Sequence, residues 1–311
     1  MTHWLQAARL RTLPLSMSGI IAGSFIAKWR ISQQGGIWDW QIFALAILVT
    51  LLYQILSNFA NDYGDGVKGT DKNRMNEAEQ RAVASGKITA QQMKNAVILF
   101  SILSLFATLG LLYVAFFKYD LMNEFYTFVG LGVACILAAI GYTVGKKPYG
   151  YLGLGDIMVF IFFGLVSVVG SYFLFTKSLD WDILLPASAI GMMSAAVLNL
   201  NNMRDIESDA VSGKKTLALR LGYKKAMVYL MVLLQLPLIL ILIFLMLNKL
   251  HEGANYYAFM VMILLFPMAA MRRRILQTKH PKELDPFLKQ VGIMTLTMSV
   301  LLAIGLNYFT S

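Results

Sequence analysis

Long apolar runs alternate with short polar stretches along the whole chain. Runs free of charged residues cover approximately 12–27, 41–60, 95–117, 125–145, 157–176, 183–203, 226–248, 253–271 and 290–311. Each comes near the roughly 20 residues that a helix needs to cross a bilayer. The runs are continuous rather than alternating with a period of two, which argues against a transmembrane barrel, and the hydrocarbon core holds no water to satisfy an open backbone. The pattern predicts an all-α integral membrane protein with nine transmembrane helices, one polytopic domain over residues 1–311.

Charge gives these spans a direction. Of the 27 Lys and Arg residues, 22 fall in the N-terminal segment and the second, fourth, sixth and eighth loops, and the odd loops hold the other five. Basic residues stay on the cytoplasmic side, so the N-terminus and the even loops are expected there, in a multi-pass protein of the cell (inner) membrane. The net charge of +10 then reads as an orientation and headgroup signal, with the lipid bilayer as partner and nucleic acid excluded for want of any motif that reads it. Arg9 and Arg11 precede the first run without a small-residue cleavage site, so that run is expected to remain as a helix rather than be removed as a signal peptide. The lone Cys135 excludes an intrachain disulfide, and His3, His251 and His280 are too scattered for a zinc site.

Two acidic clusters interrupt this apolar chain at the ends of the second and sixth runs: Asn61-Asp62-Tyr63-Gly64-Asp65 with Asp71 beyond, and Asn201-Asn202-Met203-Arg204-Asp205 followed by Asp209. Carboxylates at a membrane boundary are costly unless solvated, paired or bound to a cation. The offset between Asn61 and Asn201 equals that between Asp65 and Asp205, which points to an internal repeat whose halves each supply one cluster. On a helix, Asn61 with Asp65 and Asp205 with Asp209 share a face. Such hard oxygen ligands suit Mg²⁺, which keeps some waters and is completed by substrate phosphates. Arg81, Lys146, Arg204 and Lys214 stand in the same even loops, where they can neutralise an anion or act simply as positive-inside anchors, as the Arg272-Arg273-Arg274 run does. Asn58, one turn before the first cluster, either supports it or bonds a neighbouring helix, and Tyr142 either lines a substrate pocket or sits in the interfacial belt. Phe160, Phe162 and Phe163 read as packing or lipid contact.

These segments, together with Tyr142-Thr143-Val144-Gly145, resemble the signature segments of the UbiA-type intramembrane prenyltransferases. Leu10-Arg11-Thr12-Leu13-Pro14, the run from Asn61 to Asp71, Gly153-Leu154-Gly155-Asp156 and Gly213-Lys214-Lys215-Thr216-Leu217 are most similar to the menaquinone branch of that family. The likeness extends from the first span to Leu221, and the last three spans add little beyond hydrophobicity. The first motif departs from the family's Asn-x-x-x-Asp-x-x-x-Asp form: Gly69 holds the third position, and Asp71 stands two residues later.

The resemblance implies a bundle whose active-site loops are cytoplasmic and an enzyme that joins a polyprenyl diphosphate to 1,4-dihydroxy-2-naphthoate with loss of CO₂. It implies catalytic roles for Asp65, Asp205 and Asp209, with Asn61 joining them around Mg²⁺. Substrate contacts would come from Asn58, Asn61, Asp62, Asp71, Arg81, Tyr142, Lys146, Asn201, Asn202, Arg204 and Lys214. Another aromatic acceptor, such as 4-hydroxybenzoate, is the alternative within the same chemistry. A secondary transporter is the alternative outside it, but the acids gather at one membrane face and form no ladder across the bilayer.

Overall fold

With no water to bond the backbone inside a bilayer, each apolar run closes its hydrogen bonds within itself as helix. The computed structural model describes residues 2–69, 81–250 and 256–308, and it is all-helical, with no strand among those residues. A short α1 (Thr2–Ala8) precedes the spans α2 (Leu13–Gln33), α3 (Trp40–Lys68), α4 (Ala90–Ala115) and α5 (Met122–Gly141). The fifth span begins as α6 (Gly155–Val159), widens into a π-helix (Phe160–Val169) and ends as α7 (Gly170–Thr176). Next come α8 (Leu184–Arg204), the short α9 (Ile206–Val211) and α10 (Leu217–Leu221), and α11 (Tyr223–Leu247). A 3₁₀ segment, Tyr256–Leu264, runs directly into α12 (Leu265–Leu276), and α13 (Asp285–Asn307) closes the chain.

Eight of these helices are long and apolar enough to span a membrane by length and composition, among the described residues. The eighth expected run corresponds to the helical stretch 256–276, whose last turns carry Arg272, Arg273 and Arg274. Helix ends follow local chemistry. Thr89 and Gln92 form a reciprocal capping box at the start of α4, and the Asp39 carboxylate accepts the Gln41 amide at the start of α3.

The spans pack around two groups. Helices α3, α4 and α5 form one, and α8, α11 and α13 the other, while α2 and the fifth span bridge them. Small residues permit the close approaches, as expected where lipid supplies no hydrophobic drive between helices. A Cβ on Gly164 would stand 2.6 Å from the Ala187 carbonyl oxygen, and one on Gly191 2.9 Å from that of Phe160, so α8 and the π-helix meet backbone to backbone. A Cβ on Gly23 of α2 would collide with the Val168 carbonyl oxygen in the same way.

Polar contacts close both ends of the bundle. At one end Arg30 of α2 pairs with Asp180 and Asp182, which precede α8, and reaches Asn248, just after α11, at 3.3 Å. Tyr172 donates to Asp180, and Asn248 to Asp182 at 2.7 Å. The other end gathers the second, fourth and sixth loops and holds both acidic clusters.

Candidate active site

Helix α3 outruns its apolar stretch and carries the whole first cluster in helical register. It stops at Gly69, whose left-handed φ of 73° favours a residue without a Cβ, and the Gly69 amide donates back to the Asp65 and Gly66 carbonyls. Asn61 and Asp65 therefore lie one turn apart on one face. Gly64 lets this helix press on the fourth loop, since a Cβ there would stand 2.6 Å from Thr143 Oγ1 and 2.8 Å from the Thr143 carbonyl carbon. Thr143 donates to the Ala60 carbonyl at 2.9 Å and lies 3.3 Å from Asn61 Oδ1.

Asp65 is 1% exposed and is surrounded by donors from three loops. The guanidinium of Arg81 and the hydroxyl of Tyr151 bond to it, and Lys214 Nζ approaches to 3.3 Å. Lys68 donates to the Thr143 carbonyl at 2.8 Å. The ring of Tyr151 carries both ammonium groups, Lys68 at 4.7 Å and Lys214 at 5.0 Å from its centroid. Buried charge of this kind persists only when paired, and here one carboxylate gathers two cations and a phenol.

Asp62 points elsewhere. Its two oxygens accept the Ala82 and Val83 amides, each at 3.0 Å, and so fix the turn that delivers Arg81. Arg81 also donates to the Asn61 carbonyl at 2.8 Å, which ties the second loop to both ends of the motif.

The second cluster is built across the junction of α8 and α9. Asp205 ends α8, and the Asp209 amide donates to its carbonyl at 2.8 Å, so the two acids keep a helical turn's spacing through the break. Arg204 grips Asp205 with two parallel bonds, at 2.7 and 2.8 Å, and also holds Asn201 Oδ1 at 2.9 Å and the Asp285 carboxylate. Asn202 and Asp209 are buried. The Lys214 amide donates to the Asp209 carbonyl at 3.0 Å, so Asp209 seats the residue whose side chain reaches Asp65. One lysine thus links the two acidic clusters.

Below this network lies a cavity of about 330 Å³. Asn58, Asn61, Tyr142 and Tyr149 line its head, and Phe162 and Phe163 of the π-helix line its wall. Ile20, Ala46, Leu112 and Leu174 line it farther into the bilayer, where the same residues or their neighbours pack around Phe116 and Phe128. Asn58 donates to the Ala8 carbonyl at 2.8 Å and accepts from Gln54 at 3.4 Å, so it fastens the N-terminal segment to α3 while facing the cavity. The rings of Tyr142 and Tyr149 meet edge to face at 5.3 Å. Burial, and after it the negative charges of Asp156 and Asp65, push the Tyr142 phenol up, and burial pushes that of Tyr149 up to about 12. Both remain neutral donors at physiological pH.

Lys146 stands exposed on the fourth loop, outside this network, and Asp71 lies outside the described residues. Tyr151, Lys68, Thr143 and Asp285 join the network without having been singled out on sequence. Tyr151 stands two residues before the Gly153–Asp156 segment, and that adjacency is the one signal that points to it. Asp285 opens a span whose sequence otherwise shows only hydrophobicity.

The pattern that defines the UbiA prenyltransferase family matches residues 23–308. The chain is 41% identical over 303 residues to a 1,4-dihydroxy-2-naphthoate octaprenyltransferase of Haemophilus influenzae, covering 97% of this chain and 95% of that protein. It is 40% identical over 304 residues to the Escherichia coli protein of the same name, covering 97% and 94%. Its fold resembles that of a UbiA homologue from Archaeoglobus fulgidus solved with DMAPP and Mg²⁺, with a TM-score of 0.63, 15% identity, and coverage of 97% and 99%.

Proposed function

The chain belongs to the UbiA prenyltransferase family, and from that premise we propose that it transfers a polyprenyl group from an allylic polyprenyl diphosphate to 1,4-dihydroxy-2-naphthoate. The naphthoate loses CO₂ and demethylmenaquinone is formed in its reduced, hydroquinol state, a step of menaquinone biosynthesis. The arrangement that carries this reading is an apolar cavity headed by Asn61 of the first acidic cluster and by Tyr142, with Lys214 joining that cluster to the second. A lipid tail and a diphosphate need that pairing of environments. The protein lies in the cell membrane as a multi-pass bundle with the Asp65 end in the cytoplasm, where the basic even loops belong.

The donor set fits Mg²⁺. Asn61, Asp65, Asp205 and Asp209 offer hard oxygens, and among the described residues no three His, Cys, Asp or Glu side chains converge as a closed metal cage. Mg²⁺ is held typically by one or two carboxylates, waters and substrate phosphates, so two separate clusters joined through a diphosphate suit it. Bound there, it supplies charge withdrawal from the diphosphate, which eases ionisation of the allylic C–O bond.

The chain's own residues do the rest. Arg81 and Lys214, which neutralise Asp65 in the resting protein, turn to the diphosphate oxygens and hold the departing anion. Arg204 holds Asp205 and Asn201 in place, with Asp285 as its second anchor. Phe162, Phe163, Tyr142 and Tyr149 line the cavity, where their rings shelter the allylic cation from water. A carbon of the electron-rich naphthol ring attacks it.

Purified protein given Mg²⁺ and a long polyprenyl diphosphate should consume 1,4-dihydroxy-2-naphthoate with equimolar release of CO₂ and diphosphate. It should use 4-hydroxybenzoate poorly. A tailed product that keeps its carboxylate, or preference for 4-hydroxybenzoate, would leave the family membership standing and defeat the choice of acceptor.

A further inference from the structure

Asp156 differs from the other acids of the described residues. It is 2% exposed, both of its carboxylate oxygens are buried, and neither is bonded by another residue. By contrast Asp62 holds two amides, Asp65 two cations and a phenol, and Asp205 a bidentate guanidinium. A lone buried carboxylate is strongly destabilising, so its presence in the Gly153–Asp156 segment calls for a partner that the resting protein lacks.

Its position says where that partner comes from. Asp156 lies in the first turn of the fifth span, one turn before Val159 and two before Phe163, which both line the cavity. Gly155 beside it packs on two further wall residues: a Cβ there would stand 3.2 Å from the Tyr142 hydroxyl and 3.1 Å from Leu198 Cδ2. The cations of the network at this end are committed elsewhere, Arg81 and Lys214 to Asp65, Lys68 to the Thr143 carbonyl, and Arg204 to Asp205 and Asp285, while Arg220, beside Gly153, donates to the Leu152 carbonyl. Of the two substrates, the polyprenyl diphosphate brings oxygens that only accept. The aromatic acceptor brings hydroxyl donors.

Resting on the prenyl-transfer reading, we infer that Asp156 is a further catalytic residue, whose carboxylate accepts the proton of a ring hydroxyl when the aromatic acceptor enters against Tyr142 and Leu198. As that O–H bond breaks, its electron pair forms a carbonyl and a ring π pair forms the new bond to the allylic carbon. The diphosphate leaves with the pair of the C–O bond. When CO₂ departs, the pair it leaves restores the ring, and Asp156 returns its proton to the oxygen of the hydroquinol product. Displacement of the Tyr142 side chain by the entering ring uncovers the carboxylate for this exchange.

The test is Asp156→Asn, which keeps the shape and removes the charge. With 1,4-dihydroxy-2-naphthoate, kcat should fall about a hundredfold, as for loss of a general base. The KM for polyprenyl diphosphate and the Mg²⁺ concentration for half-maximal rate should stay as in the wild type. The variant should also melt at a higher temperature in detergent, because an uncompensated buried charge is gone. Wild-type kcat overturns the inference, and so does a lowered melting temperature or failure to fold, which would make Asp156 structural. A raised Mg²⁺ requirement would make it a metal ligand instead. If the wild type itself does not prenylate the naphthoate, the functional reading fails separately.

Discussion

Asp65 and Asp205 carry the heaviest expectation of any single residues, and each sits in a different electrostatic setting. Asp65 is enclosed by Arg81, Lys214 and Tyr151, while Asp205 is gripped by its neighbour Arg204. Asp65→Asn and Asp205→Asn should each lower prenyl transfer by about a hundredfold or more while the protein still inserts and melts cooperatively, since one negative charge is lost at nearly constant size. Full turnover in either properly inserted variant would sink the two-cluster reading. Tyr151→Phe tests a contact that sequence did not suggest. It keeps the ring under Lys68 and Lys214 and removes the bond to Asp65, so the melting temperature should fall by an amount equivalent to about 1.5 kcal/mol. A melting curve identical to the wild type would mean that bond contributes nothing. The acidic words, Arg81 and Lys214 were legible because charge is conspicuous in an apolar chain. Asp62 was legible as part of a motif, but not as the residue that holds the Ala82 and Val83 amides, because hydrogen-bond partners twenty residues away leave no local trace. Asp156 was visible within its glycine-rich segment, yet nothing in the sequence says that it is buried without a partner.

Among the elements, hydropathy located the ends of the spans to within eight residues but not how they touch. The run 41–60 becomes Trp40–Lys68, because the polar motif continues the same helix past the apolar boundary. The widening of the fifth span into a π-helix was not legible, since residues 160–169 are apolar apart from Ser167 and the change lies in backbone hydrogen bonding. Its fit against α8 depends on paired glycines. Gly191→Ala would set a methyl group 2.8 Å from the Phe160 ring and 2.9 Å from its carbonyl oxygen, with no flexible chain end to yield on the backbone side. The expected cost is about 1–3 kcal/mol, as for other overpacked sites. It should appear as a lower melting temperature together with slower turnover, because Phe162 and Phe163 on that segment line the cavity. An unchanged melting temperature would show that the two helices can separate freely.

For the molecule as a whole, the basic-residue split implied that the even loops share a side, and the contacts among Asp65, Arg81, Tyr151 and Lys214 bring the second, fourth and sixth loops to one end. Which side of the membrane that end faces can be measured. In a Cys135→Ser background, Ser212→Cys should react with an impermeant thiol reagent only from the cytoplasm, and Ser178→Cys only from outside; the reverse pattern would invert the topology. The equal offset of the two clusters was also legible, but the dependence of the second on Asp285 was not, because a single acid before a plain apolar run looks like a loop residue. That dependence has a consequence for how the protein is made. In order of synthesis, every segment of the two acidic motifs has left the ribosome by Asp209, and Lys214 follows at once. Arg30 must wait until Asn248 emerges before the clasp at the opposite end is complete, and Arg204 until Asp285 arrives with the final helix. A nascent chain that stalls before α13 therefore possesses all of its recognisable motifs and still lacks one anchor of its second acidic cluster, so the last and least distinctive helix is the one that finishes the site.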